Sequence, residues 1–140
     1  MSATLLGIDH VALRALDMAA TEWFYGEVLG LPVVDKAEGV SPEWDDHPWR
    51  MRVFGLPSGA LLDFFEIAGA PEPARSKPAW LETVAHFAIG VATRADLEGF
   101  RKRFKKHGVP ILEEHDHGGG RHSLYVRDPN RHFVELTCRG

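Results

Sequence analysis

Two histidines and two carboxylates recur along this chain at matching places, and together they have the chemistry of a metal site. His10 lies in Ile8-Asp9-His10-Val11-Ala12-Leu13, and His86 in His86-Phe87-Ala88-Ile89. Asp63 lies in Leu62-Asp63-Phe64, and Glu135 in Val134-Glu135-Leu136. Successive side chains of an extended strand point to opposite faces. Val11, Leu13 and Ala15 therefore share one face, and Ile8, His10 and Ala12 share the other. In the same way Phe87, Ile89 and Val91 oppose His86, Ala88 and Gly90. Each acid stands between two apolar residues, so it turns away from the face they pack. An acid directed inward from such a strand must be paired, solvated in a cleft or bound to metal. Two imidazoles and a carboxylate with open positions suit Fe2+ or Mn2+, and Zn2+ or Ni2+ also fit such a set. The alternative makes all four partly exposed strand residues without a ligand role. Glu66 shares the face of Leu62 and Phe64, the wrong parity for a ligand, and reads as a solvated strand end. His47, His107 and His132 have no matched partner and read as surface residues.

The elements that would carry these residues also come in pairs. A strand over 8–16 leads into a helix opening at Asp17, an N-cap residue, with Ala20, Trp23, Phe24 and Val28 at helical spacing. Gly30-Leu31-Pro32 stops it, and strands follow over 33–37, 50–56 and 60–67. The second half repeats the order: a strand over 84–91, a helix over 93–107, the stop Gly108-Val109-Pro110, then strands over 111–114, 121–126 and 132–138. His10 to His86 is 76 residues and Gly30 to Gly108 is 78, as a duplicated chain would show. Gly69 to Ala79 holds three prolines and reads as a linker. The boundaries expected are module one at about 1–68, linker 69–79 and module two at about 80–140. Each half is β-α-β-β-β, in the α+β class.

Composition narrows the function. The net charge of −4 argues against a nucleic-acid binder, which needs a basic surface. Arg101-Lys102-Arg103 and Lys105-Lys106 fall on the solvent side of the second helix. No apolar run approaches the ~20 residues that span a bilayer, and the first seven residues carry no signal-peptide pattern. Cys138 is the only cysteine, so no intrachain disulfide forms. A cytoplasmic location, with no membrane partner, is the default expectation.

The motifs quoted, with Trp23-Phe24-Tyr25 running to Val28-Leu29-Gly30-Leu31-Pro32 and Ser123-Leu124-Tyr125-Val126-Arg127-Asp128-Pro129 running to Glu135, resemble those of the vicinal-oxygen-chelate superfamily. Its members include glyoxalase I, methylmalonyl-CoA epimerase, fosfomycin-resistance transferases, bleomycin-binding proteins and type I extradiol dioxygenases. The resemblance covers nearly the whole chain. It implies two tandem βαβββ modules in a U-shaped, partly open mixed barrel around a divalent metal, a small-molecule substrate chelating that metal through adjacent oxygens, and a homodimer. In four-ligand relatives Glu or Gln stands where this chain has Asp63, one methylene shorter; His10, His86 and Glu135 then form the three-ligand set that extradiol dioxygenases use.

The resemblance extends to the extradiol signature. His117 is followed by Leu124-Tyr125, then Asp128-Pro129, then Glu135, with departures at His115 and Arg131 where a small residue and Gly or Pro are usual. It implies that the Tyr125 phenol donates a hydrogen bond to substrate oxygens, with His115 or His117 as acid-base partner near a Gly118-Gly119-Gly120 lid. The other reading makes Tyr125 a core tyrosine and the His-Asp-His segment a solvated turn. The implied activity is extradiol-like ring cleavage, with a glyoxalase-like lyase or epimerase and a metal-free bleomycin-type binding protein as alternatives. Trp44 and Trp49, in an otherwise polar loop, either cap an aromatic substrate or make a dimer contact.

Overall fold

The computed structural model describes residues 2–140 and divides after Glu72 into two compact units. Each holds one four-stranded mixed sheet. The first unit contains β1 (His10–Ala15), α1 (Met18–Glu22), β2 (Val33–Val40), β3 (Pro48–Gly55) and β4 (Leu61–Ile67), with sheet order β1-β4-β3-β2. The second contains α2 (Leu81–Val84), β5 (His86–Gly90), α3 (Arg94–Lys106), β6 (Glu113–Gly118), β7 (Arg121–Arg127) and β8 (Phe133–Arg139), with order β5-β8-β7-β6. The first strand of each unit runs parallel to its last, and the remaining pairs are antiparallel. The two tandem βαβββ modules expected from the repeat are therefore present.

Local chemistry explains the boundaries. The Asp17 carboxylate accepts from the Ala20 amide and caps α1. Beyond Glu22 the helix widens into a π turn over Trp23–Val28, in which the Leu29 amide donates to the Phe24 carbonyl. A plain α-helix was expected. The wider turn sends the adjacent Phe24 and Tyr25 both into the core, where the Tyr25 ring lies 4.5 Å from Phe64 and 5.6 Å from Phe54. Trp23, expected on the buried face, is left exposed. In the second unit Thr93 and Asp96 form a reciprocal capping box that starts α3, and Leu97 and Phe104 bury fully.

Two expectations need correction. The strand placed over 111–114 is found at Glu113–Gly118, because Gly118, Gly119 and Gly120 all take positive φ and make the tight β6–β7 turn. The triglycine run is thus a hairpin connection and not a lid, and the His-Asp-His segment is strand rather than loop. Glu66 is not a solvated strand end: its carboxylate accepts from the Met18 amide at 2.6 Å and binds Arg50 through both Nε and Nη2. A carboxylate there meets the positive end of α1 and ties it to β4.

Candidate metal centre

Register places the four candidate ligands by the same rule in both units. Ala12 stands beside Asp63 across the parallel β1–β4 pair, and Ala88 beside Glu135 across β5–β8. His10 and His86 each lie two residues before that alanine, hence on the same sheet face as the acid. His10 Nε2 is 3.9 Å from Asp63 Oδ2, and His86 Nε2 is 3.1 Å from Glu135 Oε1. From behind, Nδ1 of His10 meets Asp9 Oδ2 at 2.8 Å, and Nδ1 of His86 meets the carbonyls of Thr83 and Val84 at 3.1 Å. A carbonyl only accepts, so His86 Nδ1 carries the proton. Its Nε2 faces the Glu135 carboxylate at 3.1 Å and serves either as a second N–H donor to it or, with that proton displaced, as a lone pair for a cation held between the two. Backing by a carboxylate or carbonyl is also how metal-binding imidazoles are oriented.

Glu135 is almost fully buried. Burial alone would raise its carboxyl, but hydrogen bonding by Ser123, His86 and Tyr125 outweighs that and holds it below the usual carboxylate range. Ser123 Oγ lies 2.7 Å from Oε2, and Arg121 Nη2 3.6 Å from the same oxygen. Tyr125 pairs directly with Glu135 across β7–β8, on the Glu135 face and opposite to Leu124 and Val126. Burial first, and then the Glu135 charge, push the phenol above its ordinary value. Its ring stacks on Phe133 at 5.3 Å and meets His115 edge-on at 5.3 Å. His115 Nε2 contacts Glu113 at 3.1 Å, and His117 Nε2 contacts Ser123 Oγ at 3.0 Å. On the His10 side, His10 is raised by its Asp9 bond and then by the Asp63 charge.

The family model for the Glyoxalase/Bleomycin resistance protein/Dioxygenase superfamily matches residues 7–136. The chain belongs to this superfamily. A lactoylglutathione lyase from Agrobacterium tumefaciens aligns at 25% identity over 96% of this chain and 95% of that one, with a TM-score of 0.70. The trypanothione-dependent glyoxalase I of Leishmania major aligns at 26% identity over 96% and 88%, also with a TM-score of 0.70. A glyoxylase/bleomycin resistance protein/dioxygenase domain from Frankia sp. EAN1pec, 20% identical over 98% and 100%, reaches 0.77 and shares the fold. No curated protein matches the chain.

The superfamily's metal chemistry can be tested against the side chains present. Among the described residues, no three His, Cys, Asp or Glu side chains form a ready-made metal cluster; the donors come as two imidazole–carboxylate pairs. Each pair fits a divalent ion in kind. Asp63 Oδ1 is a buried oxygen with no hydrogen-bond partner, and the 3.9 Å gap to His10 is too long for a hydrogen bond. Residues that reading the sequence missed are Ser123 and Arg121, which meet the Glu135 carboxylate, and Thr137, which meets Ser123. Their only signal was parity, since odd positions of β7 and β8 share the Glu135 face.

Arg131, noted as replacing Gly, takes φ +73, the region where glycine is easiest. It is held there by bonds to the Pro73 carbonyl and Glu82. Trp44, Trp49 and Phe65 form one aromatic cluster with ring centroids 5.3–6.0 Å apart. Phe65 lies two residues beyond Asp63 on the same face of β4, so the cluster adjoins that candidate ligand.

Proposed function

We propose that this protein is a divalent-metal-dependent enzyme acting on a small substrate that chelates the metal through adjacent oxygens. In this reading His86 and Glu135 form one imidazole–carboxylate ligand pair, and His10 and Asp63 form the other. The observation that carries it is the His86–Glu135 pair, an imidazole held from behind by two carbonyls with its Nε2 3.1 Å from a buried carboxylate. Bound metal supplies Lewis-acid polarisation of the chelated oxygens. The chain's own residues supply orientation and proton handling. Tyr125, its phenol kept protonated by burial and the Glu135 charge, donates to charge developing on a substrate oxygen. The unpartnered Asp63 oxygen favours a ligand role for Asp63, and with it the lyase or isomerase chemistry of the glyoxalase I relatives. Fe2+ or Mn2+ leads among the metals, with Zn2+ and Ni2+ as alternatives.

A second reading, extradiol ring cleavage, is favoured by the grouping of Tyr125 with His115 and His117 on the Glu135 side of β6 and β7. The matched pairs argue against a metal-free drug-binding protein. Metal analysis, followed by reconstitution with each ion and parallel assays of lactoylglutathione formation and catechol cleavage, tests these readings. No metal bound by the wild type would overturn the leading one. Homodimerisation belongs to this reading, and sedimentation velocity at micromolar concentration checks it.

A further inference from the structure

The residue that ties Glu135 to the rest of its sheet is a serine, and counting protons shows what it does. Ser123 is fully buried on β7, and its Oγ lies 2.7 Å from Glu135 Oε2, 2.8 Å from Thr137 Oγ1 and 3.0 Å from His117 Nε2. A hydroxyl has one proton to give and two lone pairs to accept with. A carboxylate only accepts, and its contact is the shortest of the three, so the Ser123 proton goes to Glu135. Both lone pairs then accept: one from the Thr137 hydroxyl, the other from an Nε2–H of His117. Thr137 Oγ1 has one other acceptor within reach, the His122 carbonyl at 3.5 Å, a far poorer bond. The Tyr125 phenol also reaches Ser123, but its one proton goes to Glu135, so it adds no donor competing for the two lone pairs.

We propose, resting on the metal reading above, that Ser123 is the positioning residue of the Glu135 ligand. It anchors Oε2 so that Oε1 stays turned toward His86 Nε2, and it fixes His117 in the Nε2–H tautomer. Three consequences follow from the geometry. Glu135 has several χ angles to order, and a bond on one oxygen removes most of that freedom before an ion arrives. The Ser123 proton leaves Oε1 free, so the anchor does not compete with the ligand. His117, with Nε2–H committed to Ser123, is left with Nδ1 as its basic nitrogen. That nitrogen is the one available to a substrate proton, which sets the role of His117 beside Tyr125 on this sheet face.

Two measurements on the full chain test the proposal. Mn2+ alone is titrated into wild type, Ser123→Ala and Ser123→Thr, with free ion read by electron paramagnetic resonance. Ser123→Ala is expected to weaken binding about ten- to a hundredfold, the usual effect of losing a residue that orients a ligand. Ser123→Thr, which keeps the hydroxyl, is expected within about threefold of wild type, whereas a purely structural serine would affect melting and leave affinity of the folded fraction intact. Long-range imidazole 15N spectra of the metal-free wild type, assigned by loss of the His117 signal in His117→Gln, are expected to show the Nε2–H tautomer. Equal Mn2+ affinity of folded Ser123→Ala and wild type overturns the proposal while leaving the metal reading intact. A His117 Nδ1–H tautomer overturns it as well, even if Ser123→Ala fails to fold. Absence of Mn2+ binding by wild type overturns the metal reading, and the proposal with it.

Discussion

Replacing Glu135 with Gln separates a ligand role from a structural one, because the two roles predict different magnitudes. The side chain keeps its shape and one carbonyl oxygen, and loses its charge. In the metal-free protein the carboxylate has a 2.7 Å contact to Ser123 and a 3.1 Å contact to His86. Hydrogen bonds to a charged group contribute about 1.5–3 kcal/mol each, and neutral ones about 1 kcal/mol. The amide retains a neutral bond to Ser123, whose hydroxyl can turn its proton to Thr137 and accept from the new NH2. About 2–5 kcal/mol of bonding is thereby lost. Against that, a group only 3% exposed no longer has to hold a charge away from water, which returns a similar amount. The expected net change in stability is within about 1 kcal/mol, measurable by urea unfolding of the metal-free protein. Metal affinity has no such compensation: a charged ligand becomes a weak neutral one. Loss of at least about a hundredfold, ~2.7 kcal/mol, is expected in a calorimetric titration. Asp63→Asn, whose Oδ1 has no partner to lose, should cost less stability still and also weaken the metal. An affinity within threefold of wild type for Glu135→Gln, or a stability loss above about 3 kcal/mol, would refute the reasoning.

Further consequences are open to direct measurement. Tyr125→Phe should lower turnover about ten- to a thousandfold with metal content unchanged, since one donor to developing charge is removed; steady-state kinetics with metal analysis checks it. The Glu114 carboxyl is held down to about 2 by bonds from Arg101 and then His122. A depressed carboxyl stabilises the fold above its ordinary value of 4.5 and stops doing so as pH falls toward 2. With Glu114 40% exposed, solvent screening reduces the effect to roughly 1 kcal/mol. The stability gap between wild type and Glu114→Gln should therefore be present at pH 7 and close between pH 4.5 and 2 in denaturant titrations. Gly39→Ala would place a Cβ 2.8 Å from the Trp49 ring, so the ring must move and the Trp44–Trp49–Phe65 cluster must loosen. A shift in tryptophan emission and a stability loss of about 1–3 kcal/mol, the usual overpacking cost, are expected.

Much of the architecture was written locally. Helix starts at Asp17 and Thr93, the stops at Gly30 and Gly108, and the alternation that turns His10, Asp63, His86 and Glu135 away from the packed face all depend on neighbours a few residues off. Such features survive without knowledge of the fold, because capping and strand parity act over one turn or one pleat. The duplication added the same order of elements in both modules, while the pairing of first with last strand in each came from the fold. Tertiary structure decided the rest. Whether the run after Gly108 became strand at once or only from Glu113 depended on the positive φ of three glycines closing the hairpin. Helical spacing could not reveal the π turn that buries both Phe24 and Tyr25, because it answers to the aromatic core beneath it. Glu66 had the parity of a spectator, and only the arrival of the Met18 amide and Arg50 gave it a task. Ser123 is the clearest case. Its sequence neighbours mark it as an ordinary strand residue, and its role comes from Glu135, Thr137 and His117, residues on two other strands. A hydrogen bond is specified by distance and proton count between groups far apart in the chain, and neither exists until the strands are in register.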